Sequence, residues 1–219
     1  MQPKTEAVIF DMDGLMFDSE KIACACWKKA AAQYGYQIND ELFLKTLGQT
    51  AVKNKKVYTD SLGADFPFEA AKKIRLQLGV QYFQTHGVPV KDGLIELLTY
   101  LKSRHFKTAV ATSTFRENAV PIIKQAGVFD FFNIIVCGDE ITKSKPDPEI
   151  FLKAASILEV PPEKCIVLED SESGISAASK AGMKPILIPD LKEACDEVKA
   201  LAFRQFRSLL QVVKMLEEE

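Results

Sequence analysis

From Pro89 onward, segments with helical periodicity alternate with short apolar segments that are typical of buried strands. This alternation predicts an α/β fold with a doubly wound parallel sheet, because parallel strands need right-handed crossovers that place helices on both faces. The helices are predicted to begin at Gly93, at Asn118 as an N-cap with Pro121 in the first turn, at Pro148 and at Ser173. The strands are predicted at residues 107–111, 134–137, 165–168 and 185–188.

Val8, Ile9 and Phe10 predict a further buried strand near the N-terminus. About 75 mostly helical residues separate it from the next strand, far more than an ordinary loop contains. We therefore predict an all-helical cap domain at residues 15–88, inserted into a core formed by residues 1–14 and 89–219. A cap at the carboxyl end of a strand would cover a site there as a lid. Its helices are predicted at 18–34, 39–47, up to 62 and 68–85.

The first strand ends in Asp11, Asp13 and Gly14. Ligands bind at the carboxyl ends of strands in open parallel sheets, so a site is expected at these aspartates. Side chains two residues apart lean the same way in an extended chain, and close carboxylates repel each other unless a cation or a shared proton compensates. A hard cation such as Mg²⁺ is the simplest compensation.

Polar residues of different kinds follow the other predicted strands. Thr112 and Ser113 follow the second strand, Lys145 comes after the third, and Glu169 and Asp170 follow the fourth. Because the carboxyl ends of parallel strands share one edge of a sheet, these groups are expected to form one site. Carboxylates, a hydroxyl and a cation together suit phosphoryl transfer.

In that interpretation Asp11 attacks phosphorus and forms an aspartyl-phosphate, while Asp13 protonates the leaving alcohol and then deprotonates water. Lys145 supplies a cation, and Thr112, with backbone N–H groups near Ser113 and Thr114, holds the phosphate oxygens. Asp170 completes the magnesium shell, with Glu169 acting through water.

Each segment also has a simpler interpretation. Asp-x-Asp-Gly and Thr112-Ser113 could be ordinary turns, and Lys145 could be a solvated loop residue. Glu169-Asp170-Ser171 could only start a helix. The catalytic interpretation is preferred because each group directly follows an apolar strand.

Composition excludes several classes of protein. With 28 Lys and Arg against 30 Asp and Glu, the net charge of −2 offers no basic surface for nucleic acid. No apolar stretch reaches the roughly 20 residues that span a membrane, and the first strand leaves no room for a signal peptide. Five cysteines at irregular spacing favour neither disulfides nor zinc, so a reducing cytoplasm is expected. The oligomeric state is not readable, and a monomer is the default expectation.

Four motifs resemble those of the haloacid dehalogenase superfamily: Phe10-Asp11-Met12-Asp13-Gly14, Thr112-Ser113, Lys145-Pro146-Asp147-Pro148 and Glu169-Asp170-Ser171. The helical insertion is similar to the small helical cap of that superfamily, and residues 15–20 and 169–178 resemble its β-phosphoglucomutase-like phosphatases. The resemblance implies a Rossmann-like core, a mobile cap, Mg²⁺ and an aspartyl-phosphate mechanism.

By motif position, Asp11 would be the nucleophile and a metal ligand. Asp13 would be the acid/base and would ligate the metal through its carbonyl oxygen. Thr112 and Lys145 would bind phosphate, and Asp170 would be a metal ligand. The second aspartate argues against dehalogenase activity.

The mutases of this branch carry a histidine where Ala23 stands and an arginine shortly after the cap glycine, where this chain has Gly48-Gln49-Thr50-Ala51. A phosphatase acting on a small sugar phosphate is therefore preferred, with Gln49 and Thr50 as candidate specificity residues. A sugar-phosphate mutase and a phosphonatase stay open, the latter needing a Schiff-base lysine in the cap. A silent binding protein should have lost Asp11, Asp13 or Lys145, and a protein phosphatase would need an uncovered site.

Overall fold

The computed structural model describes residues 4–49 and 51–218. Its sheet has six parallel strands in the order β3-β2-β1-β4-β5-β6. From β1 the chain builds outward to β3, returns to the other side of β1, and continues outward to β6. The crevice at this reversal lies between β1 and β4, which is where ligands bind in doubly wound sheets. The strands are β1 Ala7–Phe10, β2 Lys107–Ala111, β3 Ile134–Val136, β4 Cys165–Glu169, β5 Lys184–Leu187 and β6 Arg204–Gln205.

Helices cover both faces of the sheet, as the alternating pattern predicts. On one face Val8 and Phe10 of β1 form a buried cluster with Leu97, Ile123 and Val212 of three covering helices. None of the helices in the described residues is long and apolar enough to cross a membrane. The helices that pack on the sheet are α5 Leu94–Ser103, α6 Arg116–Gln125, α7 Glu149–Leu158, α8 Glu172–Lys180, α9 Asp196–Lys199 and α10 Leu210–Glu217.

The opposite face of the sheet carries a second buried cluster. Ala7 and Ile9, which alternate with Val8 and Phe10 along β1, pack there with Phe151 and Ala154 of α7 and with Ala177 of α8. Residues one apart on a strand point to opposite faces, so both faces of β1 must be apolar. The continuous apolar run that predicts β1 is the signature of a strand covered on both sides.

The insertion between β1 and β2 is helical. It contains α1 Ser19–Ala32, α2 Asp40–Leu44, α3 Ala51–Leu62 and α4 Phe68–His86. These helices pack around an aromatic cluster of their own, in which the Trp27 ring lies 4.7 Å from Tyr58 and 5.5 Å from Phe68 between centroids. The exact domain boundaries at 14/15 and 88/89 stay a prediction.

Two chain segments join the helical insertion to the sheet, and they lie side by side. Phe17 and Val90 form an antiparallel bridge. The Asp18 N–H donates to the Pro89 carbonyl at 2.9 Å, and the Lys91 N–H donates to the Met16 carbonyl at 2.9 Å. The segment that leaves the core and the segment that returns to it therefore form one short, hydrogen-bonded connection.

Several predicted boundaries are wrong, and the reasons are mostly non-local. Helix α6 begins at Arg116 rather than after Asn118, because Asp139 from the loop after β3 accepts a hydrogen bond from the Arg116 N–H at 2.9 Å. Pro121 therefore lies inside this helix and not in its first turn. The short strand β6 has no apolar signal, since both of its residues are exposed.

Other boundaries shift by a few residues. Helix α1 ends at Ala32 and α2 at Leu44, each followed by turns that extend the helical pattern of the sequence. Helix α8 begins at Glu172, one residue earlier than predicted, because the Ser171 hydroxyl accepts from the Gly174 N–H at 3.0 Å. The predicted cap at Asn39 is confirmed, since its side chain accepts from the Leu42 N–H at 2.8 Å.

Two helical glycines provide a test of how tightly β4 packs on α8. A Cβ atom at Gly174 would overlap the carboxyl group of Glu169, which is fully buried. Gly174→Ala is therefore expected to destabilise the fold by roughly 1–3 kcal/mol or more. Gly79→Ala in α4, where a Cβ would meet no atom within 4 Å, should instead stabilise it by about 0.5–1 kcal/mol. Urea unfolding measures both changes, and equal effects would contradict the packing.

Candidate active site

A buried ammonium group lies at the crevice between β1 and β4. Lys145 Nζ is bound by the carboxylate of Asp11 after β1, donates to Glu169 Oε1 at the end of β4 at 2.7 Å, and donates to the Ala111 carbonyl at the end of β2 at 3.1 Å. Burial alone would lower the pKa of Lys145, but the Asp11 and Glu169 carboxylates outweigh it and hold the pKa above its ordinary value. The lysine is therefore a permanent cation that joins three strand ends.

Asp11 is buried beside this cation, and its backbone N–H donates to the Leu168 carbonyl of β4 at 3.0 Å. Burial raises the pKa of Asp11, Lys145 opposes that rise, and the carboxylates of Glu169 and Asp13 add to it. The net direction is upward, although a lysine is in direct contact. A single lysine thus does not neutralise the carboxylates that surround it.

Asp170, which follows β4, belongs to the same group of carboxylates. Its carboxyl group lies against the backbone of Gly14, where a Cβ atom would overlap it, and Gly14 has a φ of +84°. Burial, followed by repulsion from Glu169 and Asp11, raises the pKa of Asp170 well above its ordinary value. Gly14 is therefore needed both for the turn after β1 and for the space that Asp170 occupies.

The residues fit a magnesium ion. In the described residues no three His, Cys, Asp or Glu side chains are placed to hold a metal by themselves. Mg²⁺ does not need such a set, because proteins usually bind it through one or two carboxylates, with waters and a substrate phosphate as the other ligands. Asp11 and Asp170 are two such carboxylates, and besides burial each has a pKa raised by repulsion from other carboxylates, with only Lys145 opposing it.

Asp13 is held by two hydroxyl groups. Ser19 Oγ, in the first turn of α1, donates to Asp13 Oδ1 at 2.9 Å, and Thr114 Oγ1, in the loop after β2, donates to Asp13 Oδ2 at 2.8 Å. One donor belongs to the helical insertion and the other to the sheet. Sequence reasoning considered only the backbone of Thr114, although the residue lies two positions after Thr112 and a Thr–x–Thr pattern places both side chains on one side of an extended chain.

The predicted phosphate-binding residues after β2 lie at the correct edge of the sheet. Thr112 is buried, and its hydroxyl accepts from the Thr114 N–H at 3.1 Å. The Ser113 side chain is exposed, while its carbonyl oxygen packs so closely on Gly138 that a Cβ atom there would overlap it. Thr112 thus follows β2 at the same edge of the sheet as Asp11, and phosphate binding by Thr112 and by Ser113 stays a prediction.

Glu169 is engaged on both oxygens. Oε1 accepts from Lys145, and Oε2 accepts from the Ser171 N–H at 3.0 Å and from Ser171 Oγ at 2.8 Å. These contacts make it the group that positions Lys145. Its predicted role as a metal ligand through water would require exchange of one of these hydrogen bonds, and it stays a prediction.

The helical insertion touches the core beside Asp170. A Cβ atom at Gly48 would lie 3.3 Å from Ser171 Cβ, and Leu191, from the loop after β5, packs on the aromatic cluster of the insertion. Gln49, a predicted specificity residue, is half-buried at this junction. Thr50, the other predicted specificity residue, lies outside the described residues.

Glu20 is a functional candidate that sequence reasoning missed. It lies in the first turn of α1, next to Ser19, and is half-buried without a hydrogen bond or ion pair to the described residues. Burial, followed by repulsion from Asp13, raises the pKa of Glu20 to about 7, although Arg75 opposes the rise. An acidic residue in the first turn of a helix is common for local reasons, so the sequence carries no signal of its burial.

The raised pKa of Glu20 predicts a pH-dependent stability. Between its unfolded pKa of 4.5 and its folded pKa of about 7, the folded protein binds a proton that the unfolded chain has released, so stability falls as pH rises. The free energy of unfolding of Glu20→Gln should therefore exceed that of the wild type by roughly 1–3 kcal/mol at pH 8, and by much less at pH 5. Urea unfolding in chelator measures this. Glu193→Gln, at an exposed residue, is the control, and a pH-independent difference for Glu20→Gln would contradict the assignment.

Comparisons with known proteins agree with this architecture. The family model described as haloacid dehalogenase-like hydrolase matches residues 8–188. A phosphorylated carbohydrates phosphatase from Thermotoga maritima is 32% identical over 95% of this chain and 98% of its own. The β-phosphoglucomutase of Bacillus subtilis is 32% identical over 81% and 80% of the two chains. The crystal structure of CbbY from Rhodobacter sphaeroides with phosphate superposes with a TM-score of 0.80 at 25% identity, covering 95% and 96% of the two chains.

The family match spans both β1 with its two aspartates and β4 with its acidic pair, and so covers the site described above and the sheet from Val8 through β5. The chain belongs to the haloacid dehalogenase-like hydrolase family.

Proposed function

We propose that this protein is a magnesium-dependent phosphatase that hydrolyses a small sugar phosphate through an aspartyl-phosphate on Asp11. The observation that carries the proposal is the buried contact of Asp11 with Lys145, beside a second aspartate held by Ser19 and Thr114. A nucleophile, a fixed cation and an oriented acid/base are the three groups that this chemistry requires.

The first half-reaction uses Asp11 and Asp13. An Asp11 oxygen attacks phosphorus, the bond between phosphorus and the ester oxygen breaks, and the leaving oxygen takes a proton from Asp13. The two hydroxyl donors that hold the oxygens of Asp13, one from α1 and one from the loop after β2, support this role because they orient the carboxyl group. The products of this step are the free alcohol and an aspartyl-phosphate.

The second half-reaction returns the enzyme to its initial state. Asp13 accepts a proton from water, the water oxygen attacks phosphorus, and the bond between phosphorus and Asp11 breaks to release phosphate. Lys145 and the region of Thr112 bind phosphate oxygens throughout. Mg²⁺, held by Asp11, Asp170 and the Asp13 carbonyl, would neutralise phosphate charge and so let the Asp11 carboxylate approach.

Two observations favour hydrolysis over transfer to a second sugar carbon. Ala23, where the mutases carry histidine, is a buried apolar side chain on α1 and offers no proton. The T. maritima relative named as a phosphatase aligns with nearly the whole chain. Because the B. subtilis relative is named as a β-phosphoglucomutase, sugar-phosphate mutase activity is the second candidate function. For a phosphonatase we find no support, since five cap lysines lie in surface ion pairs: Lys21, Lys28, Lys45, Lys55 and Lys56.

The nucleophile is tested by Asp11→Asn. Phosphate release from a panel of sugar phosphates and from p-nitrophenyl phosphate should fall by about a thousandfold or more, because the amide cannot form the aspartyl-phosphate. Asp130→Asn, at an exposed aspartate far along the chain, is the matched control and should keep full activity. Conversion of one sugar-phosphate isomer into another without phosphate release would support the mutase instead.

The metal is tested by removal and return. Chelation should abolish turnover because two repelling carboxylates and a phosphate dianion would then face one lysine, and added Mg²⁺ should restore it. Phosphate release is measured before and after dialysis against chelator, with and without Mg²⁺. These measurements separate the effect of removing the metal from the effect of returning it. Full turnover in chelator would remove magnesium from the mechanism.

Motion of the cap is tested by a crosslink between Gly48 and Ser171, whose side-chain positions are adjacent. We expect Gly48→Cys with Ser171→Cys, in a Cys195→Ser background, to lose most turnover on oxidation because substrate cannot reach a closed site. The turnover rate of the double variant before oxidation sets the baseline. Adding reductant to the oxidised variant should restore that rate. Gly48→Cys alone, oxidised in the same way, is the control. An oxidised enzyme that turns over at the baseline rate would contradict a moving cap.

A further inference from the structure

Asp190 follows the fifth strand of the sheet, at the edge that carries the candidate active site. β5 ends at Leu187, and the Ile188 N–H donates to the Glu169 carbonyl of β4 at 2.8 Å, so the chain stays beside β4 for one more residue. Asp190 therefore lies at the carboxyl end of β5, next to the strand that ends in Glu169 and Asp170. Ligands bind at this edge of open parallel sheets, yet the proposed mechanism does not use this carboxylate.

One oxygen of Asp190 is engaged and the other is free. The side chain is only 7% exposed, and its Oδ1 atom accepts a hydrogen bond from the Lys91 ammonium group. The second oxygen, Oδ2, is buried and has no hydrogen-bond partner among the residues that the structure describes. A buried carboxylate oxygen without a donor is costly, so Oδ2 requires a donor from outside the chain.

The free oxygen of Asp190 lies beside the proposed metal site. A Cβ atom at Gly14 would overlap Asp170 Oδ2 and would lie 3.5 Å from Asp190 Oδ2, so both oxygens approach the same point in the turn after β1. Asp170 and Asp190 also line the same cleft between the helical insertion and the core. A cation bound by Asp170 would therefore have the unpartnered oxygen of Asp190 close to it.

The arrangement favours an indirect contact between Asp190 and the ion. In the described part of the chain no three carboxylate, imidazole or thiol side chains converge closely enough to bind a metal together, and Asp11 and Asp170 are already the expected ligands. Mg²⁺ usually keeps several of its waters when it binds to a protein. Groups that accept hydrogen bonds around a metal site orient its ligands, and their loss typically lowers metal affinity by about 10–100-fold.

We propose that Asp190 is a positioning residue of the magnesium site, and that its Oδ2 atom accepts a hydrogen bond from the hydration shell of the ion. This inference rests on the proposed magnesium-dependent phosphatase function, and it adds a residue that lies outside the four sequence motifs. Lys91 engages only Oδ1, which leaves Oδ2 available for the ion.

Magnesium affinity measured without substrate tests this role. Isothermal titration calorimetry of the metal-free enzyme with MgCl₂ gives the Kd of the wild type and of Asp190→Asn, and we expect the Kd of the variant to be about tenfold higher or more. Urea unfolding with and without Mg²⁺ is an independent measurement. A site with a tenfold higher Kd loses about 1.4 kcal/mol of the stabilisation that saturating Mg²⁺ provides. A merely structural role would change stability equally with and without the metal.

Two control variants separate the role of Asp190 from simpler effects. Glu193→Gln removes a negative charge from the same cleft, but Glu193 is exposed and paired with Lys199 at 3.1 Å, so the Kd for Mg²⁺ should not change. Lys91→Met breaks the ion pair but keeps the Asp190 carboxylate. This variant should bind Mg²⁺ at least as tightly as the wild type, because a positive charge near the ion has been removed.

A double variant covers the case in which Asp190→Asn alone does not fold. Lys91→Met combined with Asp190→Asn leaves neither member of the ion pair charged, and it should show the same rise of about tenfold or more in the Kd for Mg²⁺. Circular dichroism of each variant in chelator checks that it is folded before the metal is added.

The outcomes separate this inference from the function on which it rests. If Asp190→Asn and the double variant bind Mg²⁺ as tightly as the wild type, the role of Asp190 is overturned and the phosphatase stands. An equally large rise in Kd for Lys91→Met would assign the loss to the ion pair and would also overturn it. If the wild type binds no Mg²⁺ and releases phosphate without it, the metal-dependent mechanism itself fails.

Discussion

One buried ammonium group connects the parts of this site. Lys145 contacts Asp11, Glu169 and the Ala111 carbonyl, and so links the ends of β1, β4 and β2. An isolated buried charge would be prohibitively costly, so the lysine requires its carboxylate partners and they require it. Glu169 in turn is fixed by Ser171, and the room for Glu169 depends on Gly174. The position of Lys145 is thus determined by a chain of contacts that reaches into α8.

The same contacts leave the site short of positive charge. Asp11 and Asp170 have raised pKa values even with Lys145 present. Buried carboxylates with raised pKa values lower the stability of the folded chain. Groups with strongly perturbed pKa values are commonly found at functional sites. A divalent cation would relieve the repulsion and also let an anionic phosphate approach an anionic nucleophile. In the proposed mechanism, metal binding and catalysis would therefore both depend on the same cluster of carboxylates.

The sheet, and the meeting of Asp11, Lys145 and Glu169 at one of its edges, were predictable because their signals are local. Apolar runs identify strands covered on both faces, and polar residues directly after them mark the active edge of a parallel sheet. The start of α6 was not predictable in this way, because it depends on Asp139, which comes from a loop 23 positions away in sequence. Glu20 belongs to the same class. Its raised pKa arises from burial and from repulsion by Asp13, which only the tertiary structure reveals.

The paired connection at Phe17 and Val90 has an evolutionary consequence. The chain leaves and rejoins the core at adjacent points. The inserted residues are therefore joined to the sheet at one place, as the loop of a short hairpin would be. Their length and sequence can change without moving β1 relative to β2. In the proposed mechanism most of the phosphate-binding groups belong to the core, so inserted helices of different length and sequence could be combined with the same core if they keep the contact of Ser19 with Asp13.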